Sequence, residues 1–102
     1  MPIFEISVVP TGTGETSVSR FVRRAVEIIK ASGLEYQVNP MGTCIQGDWE
    51  PVLRVVRSIH DEYERLGCKR IYTVMKIDDR RDKPSSMKHK VEAATGTGSS
   101  SD

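Results

Sequence analysis

The chain holds two histidines, His60 and His89, and neither stands at ligand spacing from the other or from a cysteine. His60 lies beside Asp61 in a helical pattern; adjacent helical residues do not face each other, so it reads as solvent-facing. Cys44 and Cys68 fall in no CxxC or Cys/His pattern, which argues against structural zinc or a disulfide framework and for two buried thiols. No nucleophile elbow, Walker loop, HExxH or paired-carboxylate motif is present, so no catalytic or metal residue is assigned. The Gly12/Gly14 loop lies between a strand and a helix, where anions can bind. It lacks the P-loop lysine and the full GxGxxG spacing, and it reads as a flexible connection.

What remains is a set of short polar side chains at element ends. Ser17 and Ser19 stand at a helix start, and Asn39 and Thr43 flank Pro40-Met41-Gly42. Gln46 ends one strand, and Asp78 and Arg80 end another. Each has a local task open to it as cap, turn former or strand end. Those local tasks explain less well why so much polar chemistry gathers at strand ends.

The elements that position them follow from periodicity. Ile3 to Val9 is a strand in which Phe4, Ile6 and Val8 share the inward side and Ile3, Glu5, Ser7 and Val9 the other, with Pro10 ending it. Val18, Phe21, Val22, Ala25, Ile28 and Ile29 repeat at helical steps, with Thr16 or Ser17 to cap the start and Gly33 to close the end. Leu34–Asn39 and Thr43–Gln46 read as a hairpin. Glu50-Pro51 opens a second helix with the stripe Val52, Val55, Val56, Ile59, Tyr63 and Leu66, closed by Gly67. Arg70–Asp78 is a fourth strand, and Ser85–Ala94 a short helix. The order β-α-β-β-α-β predicts an α+β, ferredoxin-like fold: an antiparallel four-stranded sheet with both long helices on one face. Residues 1–94 form one domain, and residues 95–102, rich in Gly, Ser and Thr, read as a disordered tail. The mixed outer side of the first strand favours burial of that face or of a strand edge against another copy.

Composition narrows the function classes. The 102 residues carry 15 Lys and Arg against 14 Asp and Glu, a formal net charge of +1. Nucleic acid and anionic membranes select a clear basic excess, and neither is an expected partner. Arg20, Arg23 and Arg24 cluster on the first helix, but Glu27 offsets them, and the sheet lacks the stacking aromatics of RNA-recognition modules. No apolar run reaches the roughly 18 residues of a membrane span, and no signal-peptide pattern opens the chain, which predicts a cytoplasmic protein.

Asn39-Pro-Met-Gly-Thr-Cys-Ile-Gln-Gly, followed by Gly67-Cys-Lys-Arg-Ile-Tyr-Thr-Val-Met-Lys-Ile-Asp-Asp-Arg, resembles the small thiamine-binding protein family, the YkoF-like proteins. The likeness runs from about residue 2 to residue 94 and includes Ile-Ser-Val-Val-Pro and Ser17-Val-Ser19. It implies a homodimer or homotetramer that binds thiamine or its hydroxymethylpyrimidine moiety without catalysis and without a cofactor. By the same likeness, Ser17, Ser19, Thr43 and Gln46 belong to the ligand site, with Asn39, Met41 and Asp78 beside it. Gln46 stands where such proteins commonly carry Glu. An amide matches an aminopyrimidine's donor and acceptor together, but offers no charge to a thiazolium cation unless Glu5 or Asp78 supplies it. Tyr36 or Trp49 is placed to stack on a ring. A structural or regulatory oligomer without a ligand is the alternative reading.

Overall fold

The computed structural model describes residues 1–13, 18–84 and 86–96. β-branched residues in alternation build β1 (Ile3–Thr11), and apolar residues at helical spacing build α1 (Ser19–Ala31). Then come β2 (Glu35–Asn39), β3 (Gly42–Gln46), α2 (Trp49–Arg65), β4 (Arg70–Asp78) and α3 (Met87–Thr95). The sheet order is β2-β3-β1-β4, and every neighbouring pair is antiparallel. This is the ferredoxin-like α+β arrangement expected from the order of elements.

Register fixes which side chains share a face. Phe4 stands opposite Ile45 and Ile77, and Ile6 opposite Thr43 and Met75, all on the side covered by α1 and α2. Between sheet and helices the core closes on Phe4, Phe21, Ile29, Ile45, Ile59 and Tyr63, each nearly or wholly out of solvent. Phe21 and Tyr63 meet edge to face at 5.1 Å, tying α1 to α2. At the rim of the same contact, Glu62 accepts from Arg24 Nε at 3.1 Å and from Arg65 Nη2 at 2.5 Å. The Arg65 hydrogen bond, then that of Arg24, holds the Glu62 carboxyl down at about 2 despite partial desolvation.

Gly33 and Gly67 both take positive φ just past a helix end, the conformation that L side chains resist. Thr16 and Ser17, the expected caps of α1, lie outside the described residues. So does the expected tail from residue 97 onward, while Thr95 is the last residue of α3.

The first strand differs from expectation. Pro10 does not end it: β1 continues to Thr11, with Pro10 opposite Ile71. β3 pairs with β1 only from Ile3 to Ile6, so at Pro10 the strand has a neighbour on one side alone, where a missing N–H is tolerated.

The helix-free side of the sheet carries Ile3, Glu5, Ser7 and Val9 from β1, as alternation requires. α3 lies at one end of this side. Its first backbone N–H, from Met87, donates to Gln46 Oε1 at 3.1 Å, and Lys90 Nζ meets Asp78 Oδ2 at 2.6 Å. Ser86 caps the same helix by accepting from His89 N at 3.1 Å. Ile3 and Met87 are buried at this end, whereas Tyr72 and Val74 on β4 stay exposed.

Candidate functional site

A gap in the sheet makes a largely apolar cleft. The β2–β3 hairpin turns at Pro40-Met41 and meets β1 only as far as its midpoint, while β1 runs on beside β4 to Thr11. The first half of α1 therefore faces β1 across an opening that no hairpin strand fills. The resulting cleft has a volume of about 310 Å³. Val18, just before α1, with Val22 and Val26 inside it, forms one wall, Ile6 to Pro10 of β1 another, and Val38 to Thr43 of the hairpin the third. Ile59 and Tyr63 line it from α2. The rim is apolar and open: Val22 and Val38 are exposed, and Met41 is 87% exposed at the tip of the turn. Such a rim around a concavity is a common mark of a binding site.

Gly42 sets the hairpin's approach. A Cβ there would lie 3.0 Å from the Ile6 carbonyl oxygen and 3.4 Å from Glu5 Cγ, so a side chain at this point would press β3 away from β1 by a few tenths of an ångström.

Thr43 is the polar side chain of the hairpin on the helix-facing side, in register with Ile6 and Val38. It is half-buried, and among the described residues its hydroxyl has no hydrogen-bond partner. Asn39 borders the cleft, but alternation turns its side chain to the other side of the sheet. There its amide accepts from Gln37 Nε2 at 3.1 Å and donates to Cys44 Sγ at 3.4 Å. Burial, and then the Glu5 charge, raise the Cys44 thiol above its ordinary range, and the Asn39 hydrogen bond opposes them. None of the described residues lining the cleft is charged.

The expected site residues divide between two places. Asn39, Met41 and Thr43 line the cleft. Gln46 and Asp78 lie on the helix-free side at the far end of the sheet, where both hold α3. Ser19 is exposed in the first turn of α1, and Ser17 lies outside the described residues. Glu5, the candidate counter-charge, pairs with Lys76 at 3.7 Å on the helix-free side. Trp49 packs edge-on against Phe4 at 5.2 Å, and neither it nor Tyr36 lines the cleft.

His60, expected to face solvent, is half-buried with Nε2 2.6 Å from Thr73 Oγ1. The α2 flank that carries it lies over β4, a relation that helical periodicity alone does not reveal. Both cysteines are free, Cys68 buried and Cys44 half-buried. Cys68 Sγ donates to the carbonyl oxygens of Thr11 and Arg70, pinning the ends of β1 and β4 together. Among the described residues no three His, Cys, Asp or Glu side chains converge to hold a metal ion, and no helix is long and apolar enough to cross a membrane.

Fold and cleft together define a small ferredoxin-like domain with a concave, largely apolar site that can take a small molecule. The chain belongs to the thiamine-binding protein family, whose model matches residues 4–95. A UPF0045 protein of Methanothermobacter thermautotrophicus is 38% identical over 90 residues, 87% of this chain and 91% of that protein. The UPF0045 protein YqgV of Bacillus subtilis is 35% identical over 97 residues, covering 91% of this chain and 93% of that one. Among solved structures, a hypothetical protein of Methanocaldococcus jannaschii superposes with a TM-score of 0.81 at 31% identity, covering 94% of this chain and 96% of that one. A Thermotoga maritima protein assigned provisionally to thiamine biosynthesis or salvage gives 0.77 at 25% identity, covering 91% and 97%.

Proposed function

We propose that this protein binds thiamine or its hydroxymethylpyrimidine moiety in the cleft beneath α1, as an assembly of identical copies and without chemical conversion of the ligand. The observation that carries the reading is the Thr43 hydroxyl, unpartnered among the described residues on the wall of an otherwise apolar cleft. A flat heteroaromatic ring with one or two polar edges matches that surface. Family membership and the provisional assignment of the Thermotoga maritima relative support the same ligand class.

Within this site Thr43 supplies a hydrogen bond, and Met41, with the apolar wall of α1, covers the ring faces. The backbone at Asn39 and along the unpaired edge of β1 offers further donors and acceptors. Ser19 stands in the first turn of α1, the helix that forms one wall of the cleft. Gln46 and Asp78 act on α3 and not on the ligand. The absence of charge among the described lining residues favours a neutral aminopyrimidine over a thiazolium cation, whose desolvation nothing there offsets. Self-association is supported by the apolar side chains that the isolated chain leaves in solvent on the helix-free side, Tyr72 and Val74 among them.

Isothermal titration calorimetry with hydroxymethylpyrimidine and with thiamine tests the assignment. Binding of the pyrimidine, with thiamine equal or weaker, is expected. An absence of heat and of thermal stabilisation with both compounds would overturn it.

A further inference from the structure

Tyr63 stands near the end of α2, one turn after Ile59, and both residues line the cleft. The ring is held in place: it meets Phe21 of α1 edge to face at 5.1 Å, and only 1% of the residue remains exposed. A tyrosine so deep in a core ordinarily bonds its hydroxyl to a carbonyl or carboxylate, because an unbonded polar group out of water is costly. Tyr63 does not. Among the described residues its hydroxyl has no hydrogen-bond partner.

Among the same residues, every side-chain nitrogen or oxygen wholly shut away from solvent does have a partner. The Tyr63 hydroxyl is therefore not shut away, and the space it opens on is the cleft that the residue lines. The rim of that cleft is exposed at Val22, Val38 and Met41, so a buried Tyr63 belongs to its floor. Burial, and then Cys68, push the ionisation of the phenol up to about 12, and at neutral pH it keeps its proton. The floor thus presents a neutral hydroxyl on a rigid ring, able to donate to an acceptor atom of a guest.

A hydroxymethylpyrimidine matches this arrangement in one orientation. The ring carbon that bears the hydroxymethyl group, where thiamine carries its thiazolium, lies across the ring from the edge holding both ring nitrogens. None of the described lining residues is charged, so the hydroxylated or cationic end stays toward the opening, in water. The nitrogen edge then goes in first, and a ring nitrogen is an acceptor. Thr43 is half-buried where Tyr63 is buried, which leaves it for the groups nearer the mouth.

We propose that Tyr63 is a ligand-binding residue of this cleft, its hydroxyl donating from the floor to a ring nitrogen of the bound pyrimidine. The assignment rests on the ligand class proposed above and deepens it: the site selects a ring that carries an acceptor on its buried edge.

Calorimetry on the parent and on Tyr63→Phe provides the test, with two probes. One is hydroxymethylpyrimidine; the other is its benzene counterpart, with C–H in place of both ring nitrogens. Tyr63→Phe is expected to weaken pyrimidine binding about five- to tenfold, the loss of one hydrogen bond. The benzene counterpart should bind parent and variant alike. The free variant should melt no lower than the parent, because the hydroxyl it lacks had no partner to lose. An unchanged affinity for the pyrimidine, an equal loss with both probes, or a lower melting temperature of the free variant would each overturn the role of Tyr63, while pyrimidine binding by the parent stands. A parent that binds no pyrimidine removes the ligand class itself, and this assignment with it.

Discussion

At the scale of single residues, Thr43 lines the cleft, whereas Gln46, three positions on, accepts the first N–H of α3. Thr43 should lose a hydrogen bond to the ligand when changed to valine, with little change in shape. Removing one such bond costs about 1 kcal/mol, so Thr43→Val is expected to weaken ligand binding roughly five- to tenfold in calorimetry, with the melting temperature of the free protein hardly moved. Both residues lie in one motif, and the motif gives no sign that they part company. The parity of β3 sends their side chains to opposite sides of the sheet, and Gln46 meets Met87 of α3, 41 positions further on. Tyr63 gives a second expectation. Burial, with the neighbouring Cys68 adding to it, pushes its hydroxyl from 10.0 up to about 12. Folding therefore favours the neutral phenol: the contribution is complete below the ordinary value and is lost as pH rises through the folded one. Denaturant midpoints should decline between about pH 10 and 12, and Tyr63→Phe should flatten that decline.

At the scale of elements, the strands and long helices were open to reading because each buries one face and so carries its own periodicity. Pro10 misled because a strand's tolerance for proline depends on whether a neighbour is present, and β3 stops short of it. α3 shows little amphipathic patterning, and only Met87 among its residues is buried. It is held instead by the Gln46 hydrogen bond to its first N–H, by the Ser86 cap and by Lys90 on Asp78. Gln46→Ala should therefore release α3 while the sheet and long helices stay intact, seen as faster hydrogen exchange at residues 87–95 alone. Gln46→Glu should keep the helix docked, because a carboxylate at a helix N-terminus is favourable. Equal exchange in all three proteins would show that Gln46 does not hold the helix.

At the scale of the whole molecule, the cleft follows from a mismatch of lengths: a nine-residue β1 beside five-residue hairpin strands, under a thirteen-residue helix. The order of elements was legible, but the gap was not, since it depends on where along β1 the hairpin pairs. A ligand that fills the gap ties α1, β1 and the hairpin together and stabilises the fold by mass action. At a hundred times its dissociation constant the gain is about 2.7 kcal/mol, which for a domain of this size raises the melting temperature by roughly 10 °C or more. Thr43→Val measured at the same ligand concentration should show a smaller rise.

The gap also gives the backbone a use as a gauge. From Ser7 to Thr11 the strand bonds to β4 on one side and to no strand on the other, so the main chain of every second residue faces the opening, Val8 with its N–H and Pro10 with none to offer. Protons on such amides trade with deuterium according to what occupies the space before them. The isotope content of this short stretch therefore reports, without any label or substitution, whether the cleft holds solvent or a guest.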